Sequence, residues 1–225
     1  MAEHPDRASG RGRPDRLDPS DLSDSPVLPD WHDVSYLRSG SARQRHAFRV
    51  LDDLGILRDL ARFGATLVGT VPIAVDLPDS DLDIICRAPE PAAFEAALCD
   101  LYATRAGFRL ERTTTRGRIA VVASFSHAGE AIEVFGQDQD VDRQAGFRHM
   151  AVEARLLGIG GERLRRAVIA LKLRGMATEP AFAELLGLSG DPYERLLGLH
   201  GATDAELAAL VGDGSAREGE DEERP

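Results

Sequence analysis

Two aspartates with one residue between them, in the stretch DSDLDIIC (79–86), are the strongest candidates for catalytic or metal-binding residues in this chain. Side chains alternate along a β-strand, so Asp81 and Asp83 share one face while Leu82 and Ile84 point into the core. Adjacent carboxylates repel each other, and a proton, a basic partner or a divalent cation must offset that repulsion. Mg²⁺ suits this arrangement because it prefers hard oxygen ligands and completes its shell with water and phosphate oxygens.

A third acid, Glu133, lies between apolar residues in the strand-like segment EAIEVFG (130–136). A glutamate in such a position is costly to bury without a partner. It follows Asp83 by 50 residues, which leaves room for a helix and one or two strands between them. The sequence therefore predicts that Asp81, Asp83 and Glu133 form one catalytic and metal-binding group.

The segment LVGT (67–70) lies just upstream and offers a complementary feature. Because Gly69 has no side chain, backbone N–H groups can approach a phosphate closely there. Thr70 adds a hydroxyl for the same phosphate oxygens. A glycine alone is weak evidence, but Asp81 follows Gly69 by twelve residues and a later strand acid follows in turn. The combination predicts a nucleotide-binding loop at Gly69 and Thr70.

Phosphate transfer also needs cations, and the later helices offer two candidates. Arg148 shares a helix face with Gln144, although a solvated helix face explains it equally well. Lys172 is the single lysine beside 26 arginines, and a compact ammonium suits a phosphate. A lysine that snorkels from a packed helix is an equally good explanation. We predict that Arg148, Lys172 and Ser80 bind the nucleotide, with Ser80 also helping to fix the start of the strand.

The net charge of −11 is concentrated at the two ends of the chain. Residues 201–225 carry −6 and residues 1–30 carry −3, so only −2 remains for residues 31–200. A nearly neutral folded part is compatible with a phosphate-bearing ligand, while acidic ends disfavour long duplex nucleic acid. Composition predicts disorder for residues 1–30 and a mostly disordered acidic tail for residues 201–225.

Residues 31–200 are predicted to form one α/β (α+β) domain. Its sheet core spans about residues 64–137, with strands near 65–69, 82–86, 107–113, 118–126 and 130–136 and a helix after Pro91. From about residue 140 to 200 the apolar spacing becomes helical. The prediction is thus a small mixed sheet flanked by helices, followed by a helical C-terminal part. Residues 203–211 can add one more helix through a Thr203–Glu206 capping box.

The two cysteines and the absence of long apolar runs bear on location. Cys86 and Cys99 both lie in apolar patterns, so we expect buried free thiols in a reducing cytoplasm. No window approaches the ~18 apolar residues of a membrane span, and we expect no membrane partner. The oligomeric state is left open.

The glycine–hydroxyl pair, the Asp-x-Asp and the later strand acid are similar to the pattern of the DNA-polymerase-β-like nucleotidyltransferase superfamily. More closely, the stretches LVGTVPIAVDLPDSDLDIIC, IEVFGQ, QAGFRHM, TEPAFAELLGL and GDPY resemble a bacterial family catalogued as domain of unknown function 4269. The resemblance spans roughly residues 35–200. Thr70 departs from the superfamily pattern, which usually has serine or a second glycine there, but threonine keeps the hydroxyl.

The resemblance implies a site at one end of a small sheet. Gly69 and Thr70 would hold the triphosphate. Asp81 and Asp83 would bind both Mg²⁺ ions, and Glu133 would bind the one of these two that activates the acceptor hydroxyl. We therefore expect a Mg²⁺-dependent enzyme that transfers a nucleoside monophosphate from an NTP such as ATP to a hydroxyl of a small molecule or a protein. Pyrophosphate would be released.

Other functions are compatible with the same residues. A non-catalytic nucleotide- or metal-binding regulator could use the same fold, although a complete set of three acids favours catalysis. An interaction protein acting through its acidic tail is a further alternative. A phosphohydrolase is disfavoured because only six histidines are present and the aspartates lack the usual strand-loop context.

Overall fold

The structure is a computed structural model that describes the backbone of residues 28–221 and the side chains of residues 28–212. Most of the predicted disordered segment 1–30 lies outside this range, as do residues 222–225 of the predicted tail. The described part combines helices with one mixed sheet, so the predicted α/β class is confirmed.

The chain begins with helices that lead into the sheet. They are a 3₁₀-helix at Val34–Ser39, helix α1 at Ala42–Leu54, the short helix α2 at Ile56–Asp59 and a 3₁₀-turn at Ala61–Phe63. Ser41 starts α1 with a capping box in which its hydroxyl and the Gln44 side chain each satisfy the other's backbone N–H. Gly64, at φ 64°, ends the last turn in the left-handed conformation.

The described sheet has five strands in the order β1-β2-β5-β4-β3. The strands are β1 (Thr66–Val68), β2 (Leu82–Arg87), β3 (Ala106–Thr115), β4 (Arg118–His127) and β5 (Glu130–Gln137). Only the β2–β5 pair is parallel, and α3 (Pro91–Tyr102) begins the connection between them. The two-residue turn Ala128-Gly129, with φ of 49° and 84°, joins β4 to β5, the strands predicted near 118–126 and 130–136.

Helices occupy the chain after the sheet. They are α4 (Ala145–Leu173), α5 (Thr178–Leu185), α6 (Pro192–Gly198) and α7 (Asp204–Asp221), with 3₁₀-turns at Val141–Arg143 and Leu199–Gly201. Gly161 has a non-helical backbone inside α4 and divides it into two segments, close to the two helices that the spacing predicts. The predicted capping box forms at Thr203 and Glu206, but α7 continues to Asp221, past residue 211 where the predicted helix ends.

The two faces of the sheet pack against different helices. Ile84 and Val134 belong to the core that includes α1 and α3. Val68 and Ile85 belong to a second core that α4 to α7 complete. Gly146 of α4 faces β1, and a Cβ atom there would make an ordinary van der Waals contact of 3.7 Å with Val68 Cγ2. The alternation of strand side chains therefore directs one set of residues toward α1 and α3 and the other set toward α4.

The two cysteines differ in their exposure to solvent. Both cysteines are free as predicted and Cys86 is buried, but the prediction for Cys99 is wrong, because this residue is exposed. Phe94, Leu98 and Tyr102 share the buried stripe of α3, and Cys99 lies about 100° around the helix from Leu98. Within the described residues, no helix is both long enough and apolar enough to cross a membrane.

Candidate active site

The predicted phosphate loop and the predicted metal ligands meet at the β1–β2 edge. Val68 pairs with Asp83, and the chain turns at Gly69 with a φ of 82°. A Cβ atom at Gly69 would lie 3.2 Å from Asp83 Cγ and would overlap Asp83 Oδ2. The glycine is therefore needed for two reasons, its left-handed backbone and the carboxylate packed against it. The structure brings Gly69, Thr70 and Asp83 together as the sequence predicts.

Glu133 lies beside Asp83 because β2 and β5 are parallel neighbours. The register pairs Asp83 with Glu133, while Ile84 and Val134 pair on the opposite face. Asp81 lies just before β2 and is exposed, so it borders the site from the solvent side. Asp83 and Glu133 thus lie side by side in the cavity that α4 borders, and Asp81 is near enough for its charge to act on both.

The electrostatics of this group reflect uncompensated negative charge. Burial, followed by the charges of Asp81, Glu133 and Glu179, raises the pKa of Asp83 to about 7. Burial and then the charge of Asp81 also raise the pKa of Glu133. Lys172 is the cation that opposes the shift at Asp83. A carboxylate group with so little counter-charge favours a proton or a bound cation.

The loop that follows Gly69 and Thr70 is held from outside by three long polar side chains. Gln44 Nε2 donates to Val71 O at 3.0 Å and to Pro72 O at 2.8 Å. Arg165 donates to the carbonyls of residues 73 and 74. Lys172 Nζ donates to Val75 O at 2.7 Å. Because five successive carbonyls, from residue 71 to residue 75, are bound in this way, the loop has a fixed path away from the glycine turn.

A cavity of about 410 Å³ opens beside these acids, between the sheet and α4. The β5 residues Glu133, Phe135 and Gln137 line its floor, as alternate residues of one strand must. Gly69, Thr70 and Asp83 line one end. Its size falls within the ~300–1,000 Å³ range of small-molecule sites.

Helix α4 contributes a wall that the sequence prediction did not include. Gly146, His149, Met150 and Glu153 line the cavity at the i, i+3, i+4, i+7 spacing of one helix face. Glu153 is 3% exposed, and its Oε1 has no hydrogen-bond partner among the described residues. Burial and then the charge of Glu179 raise the pKa of Glu153 to about 8, with Lys172 opposing. An acid inside an apolar helix stripe is the sequence signal that could have identified it.

His149 and Glu179 form a second pair on this wall. His149 Nδ1 lies 3.2 Å from Glu179 Oε1, and His149 Nε2 lies 3.0 Å from Tyr193 O. Since Tyr193 O can only accept, Nε2 carries a proton in this arrangement. Burial is the largest single influence and acts to raise the pKa of Glu179, but the hydrogen bond with His149, a backbone hydrogen bond and nearby positive charge together lower that pKa. The TEP segment reads as a simple helix start in the sequence, yet its Thr178 and Glu179 line the cavity.

Three residues predicted to bind the nucleotide have other contacts in the structure. Ser80 Oγ accepts from Leu77 N at 2.9 Å, so its hydroxyl fixes the turn before β2. Arg148 donates to Leu197 O at 3.3 Å on the C-terminal helices. Neither residue lines the cavity described above. Lys172 donates to the loop carbonyl of Val75 and does not line the cavity. Its positive charge still acts on Asp83, where it lowers the pKa.

Asp81, Asp83 and Glu133 have the oxygen donors that a hard divalent cation prefers, although their side chains are not grouped closely around one point. Among the described residues, no three His, Cys, Asp or Glu side chains are grouped closely enough to hold a metal. Asp81, Asp83 and Glu133 nevertheless supply only oxygen ligands, and burial together with the neighbouring acids raises the pKa of Asp83. The donor set therefore matches Mg²⁺ in type.

A larger depression of about 670 Å³ lies at the opposite end of β2, where Arg62, Arg87 and Asp140 line it. It contains none of the predicted site residues. Arg87 there is paired with Asp140 at 3.4 Å. We therefore place the candidate site in the smaller cavity, where the perturbed acids lie.

Solved structures resemble this chain only in part. Cid1, an RNA terminal uridylyl transferase, gives a TM-score of 0.46 at 12% identity, covering 65% of this chain and 47% of its own. The GLD-2/RNP-8 complex gives 0.46 at 10% identity, covering 80% and 81% respectively. The polymerase core of TRAMP, an RNA surveillance complex, gives 0.46 at 14% identity, covering 80% and 60%. The chain thus spans about half the length of the Cid1 chain.

Sequence comparison gives a firmer result. No curated protein matches the chain. The family model described as domain of unknown function DUF4269 matches residues 49–199, which is most of the described chain and includes the whole β1–β2–β5 site. The resemblance noted from the sequence motifs is therefore confirmed, and the chain belongs to the DUF4269 family.

Proposed function

We propose that this protein is a Mg²⁺-dependent nucleotidyltransferase that moves a nucleoside monophosphate from an NTP to a hydroxyl acceptor and releases pyrophosphate. One observation carries the proposal: the Asp83 carboxylate packs against Gly69 and lies in register with Glu133 at the edge of a 410 Å³ cavity. A glycine turn, a carboxylate pair and an adjoining cavity are the parts that transfer of a phosphate group requires.

The site residues have distinct roles in this proposal. The backbone turn at Gly69 and the Thr70 hydroxyl bind phosphate oxygens, and the bound carbonyls of residues 71–75 keep that loop in place. Asp81, Asp83 and Glu133 would hold Mg²⁺, which when bound offsets phosphate charge and makes the acceptor hydroxyl more acidic. Glu133 would also accept the hydroxyl proton, since a carboxylate with a raised pKa holds a proton more readily.

The charge balance of the cavity supports a requirement for cations. Four acids line it, Asp83, Glu133, Glu153 and Glu179, of which Glu153 keeps its proton up to about pH 8. Arg116 lines it as well, but this arginine is already paired with Glu194 at 2.7 Å. A polyanionic triphosphate would be repelled by such a wall unless divalent ions accompany it. We therefore infer that nucleotide and metal bind together.

The experiment is a titration of the full chain with each of the four NTPs, with and without MgCl₂. The double variant Asp81→Asn/Asp83→Asn should lose binding, because it removes the metal-binding charges while keeping the side-chain shapes. Asp79→Asn is the matched control, since Asp79 is an exposed acid of the same stretch. Binding that is equal in wild type and double variant, or equal with and without Mg²⁺, would overturn the proposal.

Catalysis is tested separately from binding. Pyrophosphate release is followed with a panel of hydroxyl acceptors that includes small molecules, tRNA and the protein itself. Release that depends on an acceptor and disappears in the double variant supports a transferase. Tight Mg²⁺-dependent binding without release on any acceptor would instead support a non-catalytic nucleotide-binding regulator.

A further inference from the structure

Two buried glutamines, Gln137 and Gln144, line the end of the cavity away from Asp83. Gln144 lies at the N-terminus of α4 and is 1% exposed. Its Nε2 donates to Cys86 O at 2.9 Å and to Gln139 O at 3.0 Å. Because carbonyl oxygens only accept, this network uses both amide protons and fixes the orientation of the side chain. Gln144 Oε1 is left as a buried acceptor without a partner among the described residues.

A second amide at this end is oriented by a relay of the same kind. Gln139 Nε2 donates to Arg143 O at 2.8 Å, so Gln139 Oε1 is the atom that faces Gln137. Gln137 Nε2 then donates to Gln139 Oε1 at 3.2 Å. Gln137 is 6% exposed and lines the cavity beside Gln144. Gln144 thus directs both N–H groups at backbone carbonyls and keeps its oxygen as an acceptor, while Gln137 directs one N–H group at Gln139.

The surface between the acids and these glutamines is flat and apolar. Ile85 and Phe135 form the sheet side, and Met150 on α4 forms the opposite side. Thr115 and Arg116, at the tip of the β3–β4 hairpin, line the cavity as well. An aromatic ring bound in this part of the cavity would gain apolar contact on its faces and present polar atoms only at its edge.

The spacing matches a nucleoside. Gln144 binds the carbonyl of Cys86, which follows Asp83 by three residues on β2, on the order of 10 Å along the strand. A ribose and a base together span a distance of this order from the α-phosphate. Buried acceptors without partners are rare in folded proteins, so a ligand that donates hydrogen bonds is expected there. An exocyclic amino group offers two N–H donors on one atom.

We propose that Gln144 and Gln137 form a base-reading subsite that selects NTPs whose base carries the 6-amino group of adenine or the corresponding 4-amino group of cytosine, over those with a keto oxygen or hydrogen at that position. The proposal rests on the proposed function, since it assigns the phosphates to the Gly69 end of the same cavity. The glutamines act through hydrogen bonds to the amino group, while Ile85, Phe135 and Met150 contact the ring.

The test compares ligands that differ only in the amino group. ATP and purine riboside triphosphate, in which hydrogen replaces the 6-amino group, are titrated into the wild-type chain with MgCl₂. We expect ATP to bind about tenfold more tightly or better, because the analogue leaves a buried acceptor unpaired. CTP should exceed UTP in the same way. This comparison needs no variant, so it stays decisive even if substitutions disturb folding.

The variant Gln144→Met should reduce the ATP-to-analogue ratio toward one. Gln44→Met is the matched control, because Gln44 Nε2 also donates to two backbone carbonyls, but outside the cavity. That control should leave the ratio unchanged even if it weakens binding overall, and thermal unfolding checks the fold of both variants. Equal binding of ATP and its analogue would overturn the subsite while leaving nucleotide binding intact. Failure to bind any NTP would overturn both the subsite and the proposed function.

Discussion

The carboxylate of Asp83 occupies the space in which a side chain at Gly69 would begin. A Cβ atom at Gly69 would overlap Asp83 Oδ2, and the backbone there has a φ of 82°. This contact joins the two sequence motifs, the glycine turn and the Asp-x-Asp, into one structural unit. Because of this contact, a side chain at Gly69 should disturb Asp83 in addition to straining the backbone, and the two effects can be tested separately.

Gly69→Ala should lose Mg²⁺-dependent nucleotide binding by at least about tenfold, because the new methyl group displaces Asp83. The left-handed backbone adds a cost of about 1–2 kcal/mol to the free energy of folding. Gly129→Ala is the matched control, since its φ is 84° and a Cβ atom there would meet nothing within 4 Å. Equal effects of the two variants on binding would show that backbone strain alone is responsible.

Mg²⁺ binding should tighten as pH rises through about 7. Burial and the neighbouring acids raise the pKa of Asp83 to about 7, so below that pH the metal must displace a proton. Calorimetry in two buffers of different ionisation enthalpy should detect about one proton released per metal at pH 6 and little at pH 8. Affinity that is independent of pH from 6 to 8 would contradict the prediction, and Asp81→Asn/Asp83→Asn should show neither binding nor release.

Lys172→Met should loosen the loop that follows the glycine turn. The variant leaves Val75 O without its 2.7 Å hydrogen bond and removes a cation near Glu153. We expect a loss of about 1–3 kcal/mol in the free energy of unfolding and faster amide exchange in residues 71–76. Lys172→Arg keeps the charge and tests whether the compact ammonium is needed. Normal loop exchange with reduced nucleotide affinity would instead favour direct phosphate contact by Lys172.

Glu153→Gln should flatten the pH dependence of stability. The folded protein holds this proton up to about pH 8, whereas the unfolded chain releases it near the ordinary value of 4.5. Its contribution is therefore fully present below about pH 4.5 and is lost as pH rises through 8. At pH 9 the variant should exceed wild type by on the order of 2–4 kcal/mol in free energy of unfolding.

Denaturant unfolding at pH 6 and pH 9 measures this difference. Glu184→Gln changes an exposed acid on α5 and should keep the wild-type slope. Parallel stability curves for wild type and Glu153→Gln would show that Glu153 does not titrate on unfolding.

The period-two and helical spacings were sufficient to predict the strands around Asp83 and Glu133 and the helices on either side. They also indicated that both acids point away from Ile84 and Val134, since that alternation is a local property of extended backbone. The prediction that Cys99 is buried failed, because apolar composition alone does not give the orientation of a helix toward its partners.

The residues of the chain by themselves determined the glycine turn, the Asp-x-Asp strand and the later acid, because each is a local pattern with a local physical meaning. Only the tertiary structure decided that Asp83 packs against Gly69, that Glu153 and Gln144 line the same cavity, and that Lys172 binds a loop carbonyl. These relations depend on how α4 crosses the sheet, and long-range packing of that kind leaves no fixed spacing in the sequence.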